Sequence, residues 1–339
     1  MRWLMFSDLH LDAKDSNGKD IDGVNFRFTD KIEILKGIVE KAIEEKVDFV
    51  VNLGDTFSKS RVPTRYKRMF FETLKPLWDH GIKSYTLVGN HEMNTFENLF
   101  ESEQVVSNDL NVIVSKQTAV GAFAFIPYVQ DFENIVKDLP SNIKYVFCHN
   151  EVEGAITFDY QARVGQEAKL SDLRQSVQWY FGHYHSPTKL APNVYLIGAC
   201  SVSHFSEETF DHYYYLCNSE QGIEKFFTVS DRRFVTIEHD FTQSDFEFDD
   251  QVLDLSKNSV VRTRFKTKRS DTLKTHETLS ELRQVAALVK PEIEYIYEDD
   301  FDSVNLDTAS YKKLIEEEAG GDEELAEYAL EILSQVEEE

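Results

Sequence analysis

The stretch Trp3-Leu4-Met5-Phe6-Ser7-Asp8-Leu9-His10-Leu11 decides the fold: an apolar run breaks off at a carboxylate and an imidazole two residues apart. The same construction returns four times. Asp48–Leu53 leads into Gly54-Asp55, Ser84–Val88 into Gly89-Asn90-His91-Glu92, Lys144–Cys148 into His149, and Gln178–Phe181 into Gly182-His183-Tyr184-His185. Short runs that are apolar throughout suit strands covered on both faces. Between the first three lie helical patterns: Ile32, Ile34, Leu35, Ile38, Val39 and Ile43 after Asp30, then Phe70, Phe71, Leu74 and Leu77 within Pro63–Asp79. That β-α-β-α-β order predicts an α/β fold with a sheet buried between helices. From about Gln178 the pattern is strand-rich, through Val194–Ile197, Tyr213–Cys217, Lys225–Val229 and Phe234–His239. These are expected to build a second sheet on the first, a two-sheet sandwich flanked by helices.

Composition shifts at 241–255, where acids alternate with Phe and Leu. Val260–Lys268 then reads as a strand, Leu279, Leu282, Val285, Ala286 and Val289 as a helix stopped by Pro291, and Glu292–Tyr297 as another strand. Two further helices are expected around Ser310–Glu318 and Glu323–Val336, separated by Gly320-Gly321. The expected domains are therefore 1–240, a small α/β module at 241–303, and C-terminal helices at 304–339.

The chain has 339 residues, 41% of them hydrophobic and 29% charged, which suits a globular protein with sizeable cores. No apolar run approaches the ~18 residues of a membrane helix. Trp3–Phe6 is too short for a signal peptide, so a cytoplasmic protein is expected. Three cysteines, Cys148, Cys200 and Cys217, exclude a disulfide framework. The formal net charge of −25 first argues against nucleic acid, but residues 292–339 hold 18 acidic and 2 basic residues, so the excess is local.

In open α/β sheets ligands gather at the carboxyl ends of strands, where all five polar motifs fall. Their oxygen and nitrogen donors suit hard or borderline divalent cations. Two such ions ~3.5–4 Å apart clamp the attacking and leaving oxygens of an in-line displacement. Their repulsion, on the order of 18 kcal/mol at an effective dielectric of about 20, calls for a shared anion between them. Asp55 is the candidate bridge. With Asp8 as the only other carboxylate, the ligand set keeps a charge of +2, which favours an anionic substrate and points to phosphate esters. His91 is best left off the ions, to protonate the leaving oxygen as a general acid. Taken singly, Asp8 and Asp55 read as helix N-caps, Asn90 as a turn cap, and His149 and His183 as core histidines. Coincidence of all seven liganding positions is what favours the site.

The ordered set D-x-H, G-D, G-N-H-E, H, G-H-x-H resembles the calcineurin-like metallophosphoesterase superfamily over residues 1–240. The resemblance implies a first ion held by Asp8, His10, Asp55 and His185, a second by Asp55, Asn90, His149 and His183, and His91 as the catalytic histidine. Within the superfamily, Phe6-Ser7-Asp8-Leu9-His10-Leu11, Asn52-Leu53-Gly54-Asp55-Thr56-Phe57, Val88–Glu92, Phe181–His185 and the layout after them are similar to the SbcD family in a short, phage-encoded form. That implies a manganese-dependent double-strand exonuclease and single-strand endonuclease of DNA repair, recombination or replication (magnesium being the other candidate ion). It also implies a homodimer whose C-terminal helices bind an SbcC-type coiled-coil ATPase, with 241–303 capping DNA. A phage-encoded form would work in the cytoplasm of a bacterial host. Ser58 departs from the family, many of whose members carry a substrate-positioning histidine there, and this bears on the balance of exonuclease and endonuclease action. Arg61, Arg65, Lys67 and Arg68 after the Asp55 motif, and the alternating Arg262, Arg264, Lys266 and Lys268, are candidate contacts to DNA phosphates. The rival readings are a phosphatase or small-molecule phosphodiesterase of the same superfamily, and a scaffold that has lost catalysis.

Overall fold

The computed structural model describes residues 1–93, 109–155, 167–209, 211–220, 222–227, 232–244, 246, 250–268 and 271–296. The chain opens with β1 (Arg2–Phe6), a short ribbon β2 (Asp20–Ile21) and β3 (Val24–Asn25), α1 (Phe26–Glu44), β4 (Phe49–Asn52), α2 (Thr64–Asp79) and β5 (Lys83–Leu87). Then come β6 (Asn111–Val114), β7 (Thr118–Val120), β8 (Phe123–Ile126), α3 (Phe132–Lys137), β9 (Tyr145–Cys148), β10 (Gln178–Phe181), β11 (Thr188–Ala191) and β12 (Val194–Leu196). The described chain ends with β13 (Tyr213–Asn218), β14 (Gly222–Phe227), β15 (Phe234–Asp240), α4 (Asp250–Ser256), β16 (Val260–Lys268), α5 (Thr272–Val285) and β17 (Leu288–Ile296).

Two six-stranded sheets result, ordered β14-β13-β1-β4-β5-β6 and β11-β12-β10-β9-β8-β7, with parallel strands at the centre of each. The period-2 geometry of a strand explains the continuous apolar runs. Trp3 and Met5 of β1, Phe49 and Val51 of β4, Phe125 of β8, Phe147 of β9 and Tyr180 of β10 meet in an aromatic-rich core between the sheets. The intervening Leu4, Phe6 and Val50 face α1 and α2, where Ile32, Leu35, Val39, Phe70, Leu74 and Leu77 cover them. Val146, Cys148, Trp179 and Phe181 face Phe132 and Val136 of α3 on the other side. Every central strand is therefore buried on both faces.

Membership of the sheets differs from the sequence expectation. The second sheet begins at β7 and includes β9, while β13 and β14 return to the first, β13 running antiparallel to β1. β15 joins neither; it pairs in parallel with β16 in a three-stranded sheet β15-β16-β17. Pro291 does not stop a helix: α5 already ends at Val285, and Pro291 lies within β17 at the edge of its sheet, where a missing N–H is tolerated. One compact unit comprises Met1–Thr267 and Asp271–Glu294; a second, Lys268–Ser270 with Tyr295–Glu339, lies almost wholly outside the described residues, as do the helices expected at 304–339. No helix among the described residues is long and apolar enough to cross a membrane.

Candidate metal centre

The five motifs sit just past the ends of β1, β4 and β5 in one sheet and β9 and β10 in the other. Beyond those ends β1 and β4 stay paired, through Asp8 N–H to Gly54 O (3.1 Å), His10 N–H to Asp55 O (3.0 Å) and Leu11 N–H to Thr56 O (2.8 Å). Asp8, His10, Asp55 and His183 all adopt left-handed backbone, with φ of 54°, 48°, 48° and 77°. Each such residue costs roughly 1–3 kcal/mol and persists where its surroundings fix it, which is a mark of functional sites. The two glycines of the G-D and G-N-H-E motifs are required for close approach: a Cβ at Gly54 would strike the His149 ring, and one at Gly89 the Asp55 carboxylate.

The side chains converge in two groups. In the first, His10 Nε2 and His185 Nε2 face each other at 3.0 Å, and Asp8 Oδ1 lies 3.8 and 4.0 Å from them. Asp8 Oδ1 is buried and has no hydrogen-bond partner. Two imidazole nitrogens and an orphaned carboxylate oxygen aimed at one point are an arrangement that a cation resolves. In the second, Asn90 Oδ1 is 3.0 Å from both His149 Nε2 and His183 Nδ1, and His149 Nε2 is 3.2 Å from Asp55 Oδ2. The same Asp55 Oδ2 is 3.9 Å from His10 Nε2, so one oxygen stands between the groups, as a bridge must. The donor set fits two divalent ions. His91 sits to one side. Its backbone N–H donates to Asp55 Oδ1 (3.0 Å), its Nδ1 meets Ser58 O (3.1 Å), and its Nε2 is 3.9 Å from Asp55 Oδ2. By distance alone His91 could join His10 and Asp55 as a ligand. Of the histidines gathered here it is the most open, at 28% exposed, which suits a group that meets substrate.

A family model for calcineurin-like phosphoesterases matches residues 1–216. The chain belongs to the calcineurin-like phosphoesterase family. This phosphoesterase is thus a hydrolase of phosphate esters, of a family that implies divalent metal ions. It is similar to the DNA double-strand break repair protein Mre11 of Methanocaldococcus jannaschii, 32% identical over 93 residues, 27% of this chain and 24% of that protein. It is also similar to the protein of that name from Archaeoglobus fulgidus, 25% identical over 217 residues, 55% of this chain and 46% of the relative. The phosphoesterase spans half or less of the length of these curated relatives. Among solved structures, a dimetal phosphatase from Danio rerio aligns with 68% of this chain and 99% of its own, at a TM-score of 0.42 and 15% identity.

Around the convergent groups of this phosphoesterase runs a second ring of contacts. His149 Nδ1 meets Leu53 O (2.8 Å) and His185 Nδ1 meets Glu207 Oε1 (2.6 Å), so each ring turns Nε2 to the centre. Glu92 accepts from Phe57 N–H (2.9 Å) and Gly89 N–H (2.7 Å), tying the loop after β4 to the loop after β5. Lys31 of α1 donates to His10 O (2.8 Å) and Ser203 Oγ (2.9 Å), and Ser58 Oγ to His10 O (3.0 Å). Glu207 and Lys31 carry no motif, and sequence reasoning missed them. Burial pushes His10 and His183 down, the latter to about 3. At His149, burial is outweighed by Asp55, and the group is held up at about 9. At His185, burial is outweighed by Glu207, with the same result. Asp55 stays well below the ordinary carboxylate range, because His149 and His10 outweigh its burial, whereas burial raises Asp8. Burial and Asp55 raise Glu92 to about 8.

The cationic candidates are scattered in their surroundings. Arg61 and Arg65 are exposed, Lys67 is buried, and Arg68 pairs with Glu72 at 2.7 Å. Along β16, Val261, Thr263, Phe265 and Thr267 are buried, so Arg262, Arg264, Lys266 and Lys268 alternate to the other face as expected. That face is not wholly basic. Arg264 pairs with Glu238 of β15 (3.0 Å) and Glu292 of β17 (3.1 Å), Lys266 lies 4.0 Å from Glu294, and Arg262 stacks over Phe205.

Proposed function

We propose that this phosphoesterase is the nuclease subunit of a DNA-end-processing complex, of the SbcD type, cutting DNA phosphodiesters with two manganese ions. The observation that carries the reading is the convergence of Asp8, His10, Asp55, Asn90, His149, His183 and His185 about one bridging oxygen, with His91 open beside them. DNA as substrate is supported by similarity to proteins named for double-strand break repair and by the exposed Arg61 and Arg65. In this reading Asp8, His10, Asp55 and His185 would hold the first ion, and Asp55, Asn90, His149 and His183 the second. When bound, the ions would supply Lewis acidity at neutral pH. Asp55, common to both sets, would screen one ion from the other. His91, its Nδ1 directed to Ser58 O, presents Nε2 to hand a proton to the leaving oxygen. Ser58 has a positioning task of its own: it holds His91 through its carbonyl and His10 through its hydroxyl.

The proposed division into residues 1–240, 241–303 and 304–339 takes one adjustment, since the small sheet draws β15 from the first segment. Residues 241–303 would cap DNA, and 304–339 would bind an SbcC-type ATPase, in a cytoplasmic homodimer. The ion-paired face of β16 favours a second reading, a small-molecule phosphodiesterase, because it leaves less free positive charge for a polyanion. End-labelled duplex and single-stranded DNA, incubated with the chain in manganese, magnesium or chelator beside an aryl phosphodiester, separates the two. Manganese-dependent DNA cleavage is expected. Hydrolysis of the ester with DNA left intact, even after adding an SbcC-type ATPase, would favour the second reading.

A further inference from the structure

We propose that Glu207 is the positioning residue for His185 and sets the affinity of the first ion position. The inference rests on the two-ion reading but not on DNA as the substrate. Glu207 is 3% exposed, and both its oxygens are engaged: Oε1 with His185 Nδ1 at 2.6 Å, and Oε2 with Ser203 N–H at 2.8 Å. Held at both ends, the carboxylate cannot swing to follow a moving ring. The contact places a proton on His185 Nδ1 and leaves Nε2 facing His10 Nε2 and Asp8 Oδ1. His149 and His91 turn the equivalent nitrogen to neutral backbone carbonyls, of Leu53 and Ser58. At the second ion position the outer Nε2 of His183 has Glu151 Oε1 at 3.9 Å, beyond hydrogen-bond reach, so of these four rings His185 alone has its outer nitrogen hydrogen-bonded to a carboxylate.

The charge balance gives this support a purpose. Two divalent ions against Asp8 and Asp55 leave the ligand set at +2, and Glu207 adds a negative charge one imidazole away from the first ion. A carboxylate on the outer nitrogen also makes a ligating imidazole a stronger donor. The segment that carries Glu207 is braced from two sides. Lys31 of α1 holds Ser203 Oγ, and Asn17 Nδ2 holds Ser203 O (3.1 Å), while Lys290 of β17 holds Asn17 Oδ1 (2.7 Å). Thr236 of β15 donates to the adjacent Glu208 (2.7 Å). Bracing of this kind is what keeps a ligand close to its productive geometry.

The test is a manganese titration of the full chain, with free ion followed by its spin resonance, for wild type, Glu207→Gln, His185→Ala and the double variant. The wild type is expected to take up two ions. Glu207→Gln should weaken one of them by roughly 10–100-fold and leave the other unchanged. In the His185→Ala background the same change should have little further effect, because the two side chains act as one unit. Wild-type affinity for both ions in Glu207→Gln would overturn the proposal. So would equal weakening of both, or an undiminished effect in the absence of His185, either of which marks a general structural role. A wild-type chain that binds no divalent ion would instead overturn the two-ion reading itself.

Discussion

At the scale of single residues, the centre works by setting donors against one another. His149 and His185 are both held up at about 9 by carboxylates that outweigh burial, whereas burial leaves His10 and His183 neutral. Below pH 9 an incoming ion must displace a proton from each of the first two. Metal affinity should therefore rise with pH towards 9, by up to roughly two decades per unit where both protons are displaced. Calorimetry in buffers of different ionisation enthalpy measures that proton release directly; binding with no proton released would contradict the pairing of His149 with Asp55 and His185 with Glu207. The candidate ligands are legible in the sequence because each polar motif interrupts an apolar strand, so its position at a strand end can be read. Glu207 and Lys31 are not, because an isolated acid or base in an ordinary context gains its partner only through folding. Glu92 was visible as part of a motif, but its bonds to Phe57 and Gly89 were not.

At the scale of elements, the strands were readable and their partners were not. Alternation tells which strands are covered, but a strand buried on both faces shows no polar side to distinguish one neighbour from another. Nor does the pattern of the partly exposed β13, β14 and β15 name a partner: the first two return to the sheet of β1, and β15 enters neither large sheet. Helix α1 was plain from its spacing, since its apolar stripe must cover Leu4, Phe6 and Val50. The inter-sheet core is what holds the two rows of motifs face to face. Trp3, 1% exposed, lies with its ring centroid 5.0–6.2 Å from those of Phe49, Phe123, Tyr145 and Phe147. Trp3→Ala should cost about 3–5 kcal/mol, read as a lower denaturant midpoint, and should loosen metal binding with it. An unchanged midpoint would mean the sheets do not depend on that contact.

At the scale of the molecule, the charge is uneven. Of the net −25, the greater part falls in residues 292–339, so the rest of the chain is far closer to neutral. If the chain is the SbcD-type subunit proposed above, removing residues 305–339 should leave hydrolysis of an aryl phosphodiester intact and abolish capture of an SbcC-type coiled coil; loss of hydrolysis would place the segment in the catalytic fold. In the proposed reading, seven side chains hold two ions while His91, off the metals, serves the leaving oxygen. That reading is tested most directly by counting bound manganese and measuring phosphodiester turnover in His91→Ser against wild type. Two ions retained with turnover lost is the result predicted here. Loss of an ion together with turnover would make His91 a ligand and contradict the account.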